Sequence, residues 1–322
     1  MEIINQDIFF ETIKDFKLVD YTQTKGFLSI YDSIDGKVIY LVDSIENPQI
    51  ACLCHIKKAL GLKMLLTTGP CIRYPEYKSS LIKKFYQELP SLGFDMIEIN
   101  SGLEYNFEYE SGIRRAGFLR PVGNFSIPLS NWINLKDNLS YNSNWKRNLK
   151  KANEENLTFQ VKDKITQEEA LILSNFYVDF CKEKKIPHCL QESYLYRLLN
   201  SDNFSFATIT DSKGLTSFII FHHLDKHAGL YYAAKNKAAE QTGATFFMYD
   251  KLLNFLKDNG YDTFDMEKLL PSTHSTDSVF LFKNGIKGNH VLYNGEFSWY
   301  KKPIYRPLMY LVKKYIMKKL EI

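Results

Sequence analysis

The chain repeats itself. Gly93-Phe94-Asp95-Met96-Ile97-Glu98-Ile99-Asn100 returns 167 residues later as Gly260-Tyr261-Asp262-Thr263-Phe264-Asp265-Met266-Glu267, in a chain of 322 residues. Each copy follows an amphipathic run, Leu81, Ile82, Phe85 and Leu89 in one and Met248, Leu252, Leu253 and Leu256 in the other. Each is followed by a stretch with glycine before an apolar residue, Arg114-Arg115-Ala116-Gly117-Phe118 and Phe282-Lys283-Asn284-Gly285-Ile286. A unit of this size is too long for a solenoid repeat. It has the size of a domain, about 150 residues. The chain therefore reads as two copies of one domain, with the active site either between the copies or in one of them.

The local pattern agrees. Lys63 to Thr68 reads as a strand closed by Gly69-Pro70, followed by a helix from Tyr77 to Leu89, a strand from Met96 to Asn100, a helix near Tyr105 to Ala116 and a strand from Phe118. The order returns as a strand at Leu230 to Ala234, a helix from Thr245 to Asn259, a strand from Tyr261 to Glu267, a short helix from Ser275 to Asn284 and a strand-like run from Lys287 to Tyr293. Such alternation predicts a mixed α/β sheet in each half. The expected division is 1–140 for the first domain, 141–300 for the second including an inter-domain helix at 145–156, and 301–322 for a basic amphipathic C-terminal helix.

Composition narrows the class. Hydrophobic residues make up 45% and charged residues 24%, an ordinary globular balance. No apolar run reaches the roughly 18 residues that a membrane span needs. The segment Met1 to Asp7 lacks the basic and apolar regions of a secretory signal, so the expected location is the cytosol. Five cysteines at irregular spacing are not a disulfide framework. Cys52-Leu53-Cys54-His55 has no second ligand pair, so no metal is expected, and the two cysteines share one face of a strand.

Charge is uneven. The net charge is +4, yet Lys301 to Ile322 alone holds seven basic residues against Glu321. Apolar Leu308, Leu311, Val312, Tyr315, Ile316 and Leu320 run between those lysines. The tail is either a helix packed on the second domain or a peripheral attachment to an anionic inner membrane face. On the helix at 145–156, Trp145, Leu149 and Ala152 form an apolar stripe, with Lys146, Arg147, Lys150 and Lys151 on the other side. That basic side is either a solvated face or an anion-binding one.

The segments Phe280-Leu281-Phe282-Lys283-Asn284-Gly285-Ile286 and Gly112-Ile113-Arg114-Arg115-Ala116-Gly117-Phe118 resemble the short helix and Asn-Gly-aromatic ending of the GNAT acyltransferases. Two such units in one chain resemble the FemAB/FemX-like tandem GNAT proteins. Gly69-Pro70, Arg147-Asn148-Leu149-Lys150-Lys151-Ala152, Tyr231-Tyr232-Ala233-Ala234 and Phe282-Lys283 are similar to further motifs of that family. The resemblance covers about residues 20 to 300. It implies two tandem GNAT-like α/β domains with a cleft between them. It also implies transfer of an amino acid from aminoacyl-tRNA, or of another acyl group, to an amine on a peptidoglycan-type precursor. The long coiled-coil arm of some members is absent.

The resemblance assigns roles. Lys283 stabilises the donor or the oxyanion, or binds a donor phosphate. Arg147, Lys150 and Lys151 face phosphates of the precursor or of tRNA, and Phe282 lies beside them in the substrate site. Tyr232 either hydrogen-bonds the acceptor or belongs to the core. Asp265 and Glu267, two apart on one side of a strand, supply one proton acceptor, and the other is a structural cap. His274 is either an alternative base or an exposed loop residue. Gly243 and Ala244 sit where the family's acyl-CoA users cradle the pyrophosphate at a helix start. Here Glu240-Gln241-Thr242-Gly243-Ala244-Thr245 lacks the second glycine, and Gln241 is one residue too close to Gly243. The sequence fixes no cofactor, and the donor is either aminoacyl-tRNA or acyl-CoA. DNA is not an expected partner. The reading is an acyl or aminoacyl transferase acting on a cell-envelope precursor. Its alternatives are a CoA-dependent N-acyltransferase of surface polysaccharide synthesis and an inactive duplicated fold that binds a partner or membrane.

Overall fold

The computed structural model describes residues 1–31, 37–59, 61–123, 125–186 and 190–319. The end of the expected C-terminal helix, 320–322, lies outside the described residues. The chain divides into two compact units, Met1–Leu129 with Val291–Ile322, and Ser130–His290.

In chain order the first unit contains β1 (Glu2–Ile4), α1 (Gln6–Ile13), α2 (Lys25–Tyr31), β2 (Lys37–Val42), β3 (Ile50–Ala59), β4 (Leu62–Thr67), β5 (Cys71–Ile72), α3 (Ser79–Glu88), β6 (Met96–Glu104) and α4 (Phe107–Arg115). Then come β7 (Leu129–Asn134), α5 (Ser143–Asn153), β8 (Thr158–Lys162), α6 (Gln167–Lys184), α7 (Glu192–Leu198), β9 (Phe204–Asp211), β10 (Gly214–Leu224), β11 (His227–Lys235), α8 (Lys237–Thr242), α9 (Ala244–Asp258), β12 (Thr263–Asp265) and α10 (Ser278–Lys283). The chain closes with β13 (Asn289–Tyr300) and α11 (Tyr305–Leu311).

The repeat is structural. In the first unit β4 runs parallel to β6, and in the second β11 runs parallel to β12. Met96 and Thr263, which open β6 and β12, are the matching residues of the two copies. Gly93 and Gly260 lie ahead of these strands with φ of 77° and 80°. Glycine adopts that left-handed conformation without the Cβ penalty, so each helical segment can stop sharply and release a strand.

The final strand of each sheet comes from elsewhere in the chain. β7 follows α4 in sequence but pairs with β12. β13 follows α10 but pairs antiparallel with β6. The first sheet is thus β1-β2-β3-β4-β6-β13, and the second is β8-β9-β10-β11-β12-β7.

This changes three expectations. The strand expected from Phe118 is only a bridge, Leu119 to Ser298, and the next strand begins at Leu129. Pro121 and Pro128 lie between, and proline has no N–H to give a ladder. The second unit begins at Ser130, not at 141. The tail forms α11 and a π-helical turn, Val312–Ile316, and belongs with the first unit. Met309 and Val312 bury against Leu62, Met64 and Met96 there.

One face of each sheet is apolar and carries the helices. In the first unit Ile97, Ile99 and Phe297 pack with Ile82, Phe85 and Tyr86 of α3. In the second, Ile133, Ile219, Ala228 and Phe264 pack with Met248, Leu252, Leu253 and Leu256 of α9. Burying each such side chain contributes about 1.5–3 kcal/mol. The helix expected at 145–156 is α5, whose start is capped by the Asn142 side chain accepting from Trp145 N at 3.0 Å.

Candidate active site

The opposite face of each sheet is polar at one row, because cross-strand partners share a face. In the second unit the row is His222 on β10, Gly229 on β11, Asp265 on β12 and Trp132 on β7. Parallel pairing of β11 with β12 stops at this row, while β11 continues to Lys235.

Asp265 is buried and already engaged. Ser130 Oγ donates to its Oδ1, and Glu267 N donates to the same oxygen at 2.7 Å. Those bonds hold an unusual turn. Glu267 and Lys268 both have positive φ, 53° and 35°, which non-glycine residues rarely adopt and which concentrates at functional sites. The turn aims two successive carbonyls at one cation: Lys283 Nζ donates to Glu267 O and, at 3.2 Å, to Lys268 O. Lysine has three donors, so one N–H remains for a ligand.

The charges here are tuned by burial. Desolvation lowers the pKa of Lys283 to about 8, against the pull of the Glu267 and Asp265 carboxylates. Burial likewise raises Glu267, although 24% of its side chain stays exposed. His222 Nε2 lies 3.7 Å from Glu267 Oε1. Desolvation also pushes His227 down to about 4, and its Nδ1 meets Thr263 Oγ1 at 2.5 Å. Gly229 makes the row possible, since a Cβ there would collide with His222 Nε2 and come within 3.2 Å of Asp265 Cβ.

Lys283, Asp265 and Glu267 are therefore gathered in one place. The other expected site residues are not among them. Phe282 packs its ring against Trp145, Phe246 and Tyr249 at 4.8, 5.1 and 5.0 Å, and its carbonyl accepts from Trp145 Nε1. Arg147, Lys150 and Lys151 are exposed on α5, with Arg147 bonded to Asn144 Oδ1 at 2.8 Å. Tyr232 is half-buried on β11, edge-on to Tyr177 and Tyr231. His274 is exposed in the loop before α10.

Gly243 has φ 77° and joins α8 to α9, its N–H donating to Ala239 O. A Cβ on Gly243 would stand 2.7 Å from Asn148 O of α5, and Ala244 is fully buried. Small side chains at both positions let α5 approach the start of α9.

Sequence reasoning missed His222, Ser130 and Gly229. One signal was present: His222 follows His55 by the same 167 residues that separate the copies.

The fold has known counterparts. FemX superposes with a TM-score of 0.75 at 11% identity, over 97% of this chain and 100% of that one. The chain has a FemX-like tandem GNAT fold. L-PGS from Bacillus licheniformis matches with a TM-score of 0.64 at 15% identity, over 96% of this chain and 95% of that one. A tandem GNAT protein from the clavulanic acid biosynthesis pathway matches at 0.52 and 8% identity, over 92% and 94%. No protein-family model matches the sequence, and no curated protein matches it. Among the described residues, no helix is long and apolar enough to cross a membrane.

Proposed function

We propose that the second unit transfers an acyl or aminoacyl group to an amine of a cell-envelope precursor. The observation that carries this reading is the convergence of Lys283, Glu267 and Asp265 where β11 and β12 stop pairing, within a FemX-like fold. The amine nitrogen forms a bond to the donor carbonyl carbon, the bond from that carbon to the ester oxygen or thioester sulfur breaks, and the amine proton leaves. Glu267, raised by burial, accepts that proton and passes it to the departing oxygen or sulfur, which leaves as an alcohol or thiol. The spare N–H of Lys283 meets the oxyanion. Asp265 positions both by fixing the Glu267–Lys268 turn.

Arg147, Lys150 and Lys151 offer exposed cations for phosphates of the precursor or of tRNA, and arginine can hold phosphate bidentately. Tyr232 remains a candidate contact for the acceptor. The run Glu240 to Thr245 lacks the second glycine of the family's acyl-CoA users, which favours aminoacyl-tRNA over acyl-CoA as donor. The C-terminal segment supports a precursor at the membrane: Ile304, Leu308, Leu311, Tyr315 and Ile316 are exposed among lysines.

Thermal melting with charged tRNA, a UDP-linked muropeptide and acyl-CoA, each alone, tests the reading, because a ligand of the folded state raises the midpoint. A rise with tRNA or muropeptide is expected. A rise with acyl-CoA alone moves the donor to CoA. No rise with any of them favours an inactive binding module.

A further inference from the structure

The first unit carries the same polar row. His55 on β3, Leu66 on β4, Glu98 on β6 and Ser298 on β13 pair across the sheet, and Asn100 pairs with Glu296 beside them. Glu98 is the repeat counterpart of Asp265, and His55 of His222. Leucine stands where the second unit has Gly229, so histidine and acid are held apart. Over this face lies a cavity of about 740 Å³, whose lining among the described residues belongs to the first unit.

The cavity is polarised. Glu98 and Glu296 lie on its floor, and Lys313 descends from the π-helical turn to bond Glu98 Oε1 at 2.7 Å. That lysine side chain is only 7% exposed. Burial lowers the pKa of His55, which disfavours its charged form. Two carboxylates thus share one ammonium. Glu296 Oε2 is buried, and no donor among the described residues reaches it. A buried carboxylate oxygen in that state costs free energy until a donor arrives. At the outer edge, Lys37, Lys57, Lys58 and Lys319 are exposed. Leu66 and Phe27 give the wall apolar area between the two ends.

We propose that this cavity is a second ligand site, which takes a small molecule with a primary ammonium at one end and a phosphate or carboxylate at the other. The ammonium bonds Glu296 and balances the floor at two cations to two anions. The anionic end meets the lysines of the rim, which act as point charges. The site uses no residue of the Lys283 cluster and does not rest on the acyl-transfer reading.

Calorimetric titration of the full chain with O-phosphoethanolamine, β-alanine, ethanolamine and inorganic phosphate tests this. At least one of the two doubly charged probes binds more tightly than ethanolamine or phosphate alone, and the comparison between them identifies the anion. Glu296→Gln weakens that binding by at least about tenfold, as expected when a buried charge partner is lost. The exposed rim substitution Lys57→Glu weakens it too, which keeps the test open if the Glu296 variant melts early. Lys283→Ala leaves it unchanged. The proposal is overturned if neither doubly charged probe binds, if Lys57→Glu and a folded Glu296→Gln bind as the parent does, or if Lys283→Ala abolishes binding.

Discussion

His55 and His222 occupy the same position in two sheets: each stands on the antiparallel neighbour of the strand that runs parallel to the repeated segment, in register with an acid two strands away. What separates histidine from acid differs. It is the Leu66 side chain in the first unit and only the Gly229 backbone in the second. The same row lines an open carboxylate cavity in one unit and forms a compact histidine–carboxylate cluster in the other.

Gly229→Ala should destabilise the protein by about 1–3 kcal/mol, the usual cost of overpacking. Removing the obstructing ring should return part of that loss, so His222→Ala/Gly229→Ala should be more stable than additivity predicts. Denaturant unfolding of the four proteins gives the coupling. Strict additivity would mean that His222 does not fill this space.

The pH dependence of stability reports on Lys283. Its folded pKa of about 8 lies below its ordinary value of 10.5. Between those values the unfolded chain binds more protons, so this group makes stability rise with pH across that window. Below about pH 8 both states are protonated, and the full penalty for the buried charge applies. Subtracting the pH profile of Lys283→Met from that of the parent should leave a rising difference from about 8 to 10.5. A flat difference would contradict the burial of this ammonium.

Turnover should separate the two acids. Lys283→Ala should lower kcat by roughly 10²-fold or more, the scale for losing an oxyanion donor, with a much smaller change in melting temperature. Glu267→Gln should remove the acidic limb of the pH profile of kcat, lowering kcat while preserving donor binding. Asp265→Asn should act through the turn, lowering stability and activity together. Undiminished turnover in Lys283→Ala would sink its assignment.

Lys313 should matter far more than its neighbour. Its partner Glu98 is 23% exposed, so Lys313→Met strands a mostly buried carboxylate. Breaking such a pair costs about 3–5 kcal/mol. Lys314→Met, at a half-buried position near Tyr310, should cost under about 1 kcal/mol. Guanidinium unfolding of both variants settles the comparison. Equal losses would show that Lys313 is not anchored in the sheet face.

The exposed apolar side of the tail should hold the chain on anionic vesicles. Leu308→Ser/Leu311→Ser should abolish co-sedimentation with phosphatidylglycerol vesicles and leave the melting temperature unchanged, because both side chains face solvent. Persistent binding of that variant would remove the tail from the membrane reading.

The duplicated strand, its glycines and most flanking helices were legible because their apolar spacing is regular. The region from Leu157 to Gly229 was not. Phe218 to Phe221 is an unbroken apolar run buried on both faces, so period two is lost. In α6, Leu171 and Ile172 are exposed beside buried Ala170 and Leu173, so no single stripe marks the helix. Lys283 could be singled out by its motif. Its environment could not, because nothing about Glu267 or Lys268 as residue types announces a left-handed turn.

The crossing of β7 and β13 to partners far along the chain has a consequence for biosynthesis. Residues 1–129 emerge from the ribosome as a sheet with an open edge, and its missing strand is made about 160 residues later. Exposed edges recruit wrong partners. The first unit must wait for β13 before its sheet is complete, whereas Ser130–His290 holds its own strands in one unbroken stretch, so a chain cut short before β13 leaves the edge of the first sheet bare and spares the second.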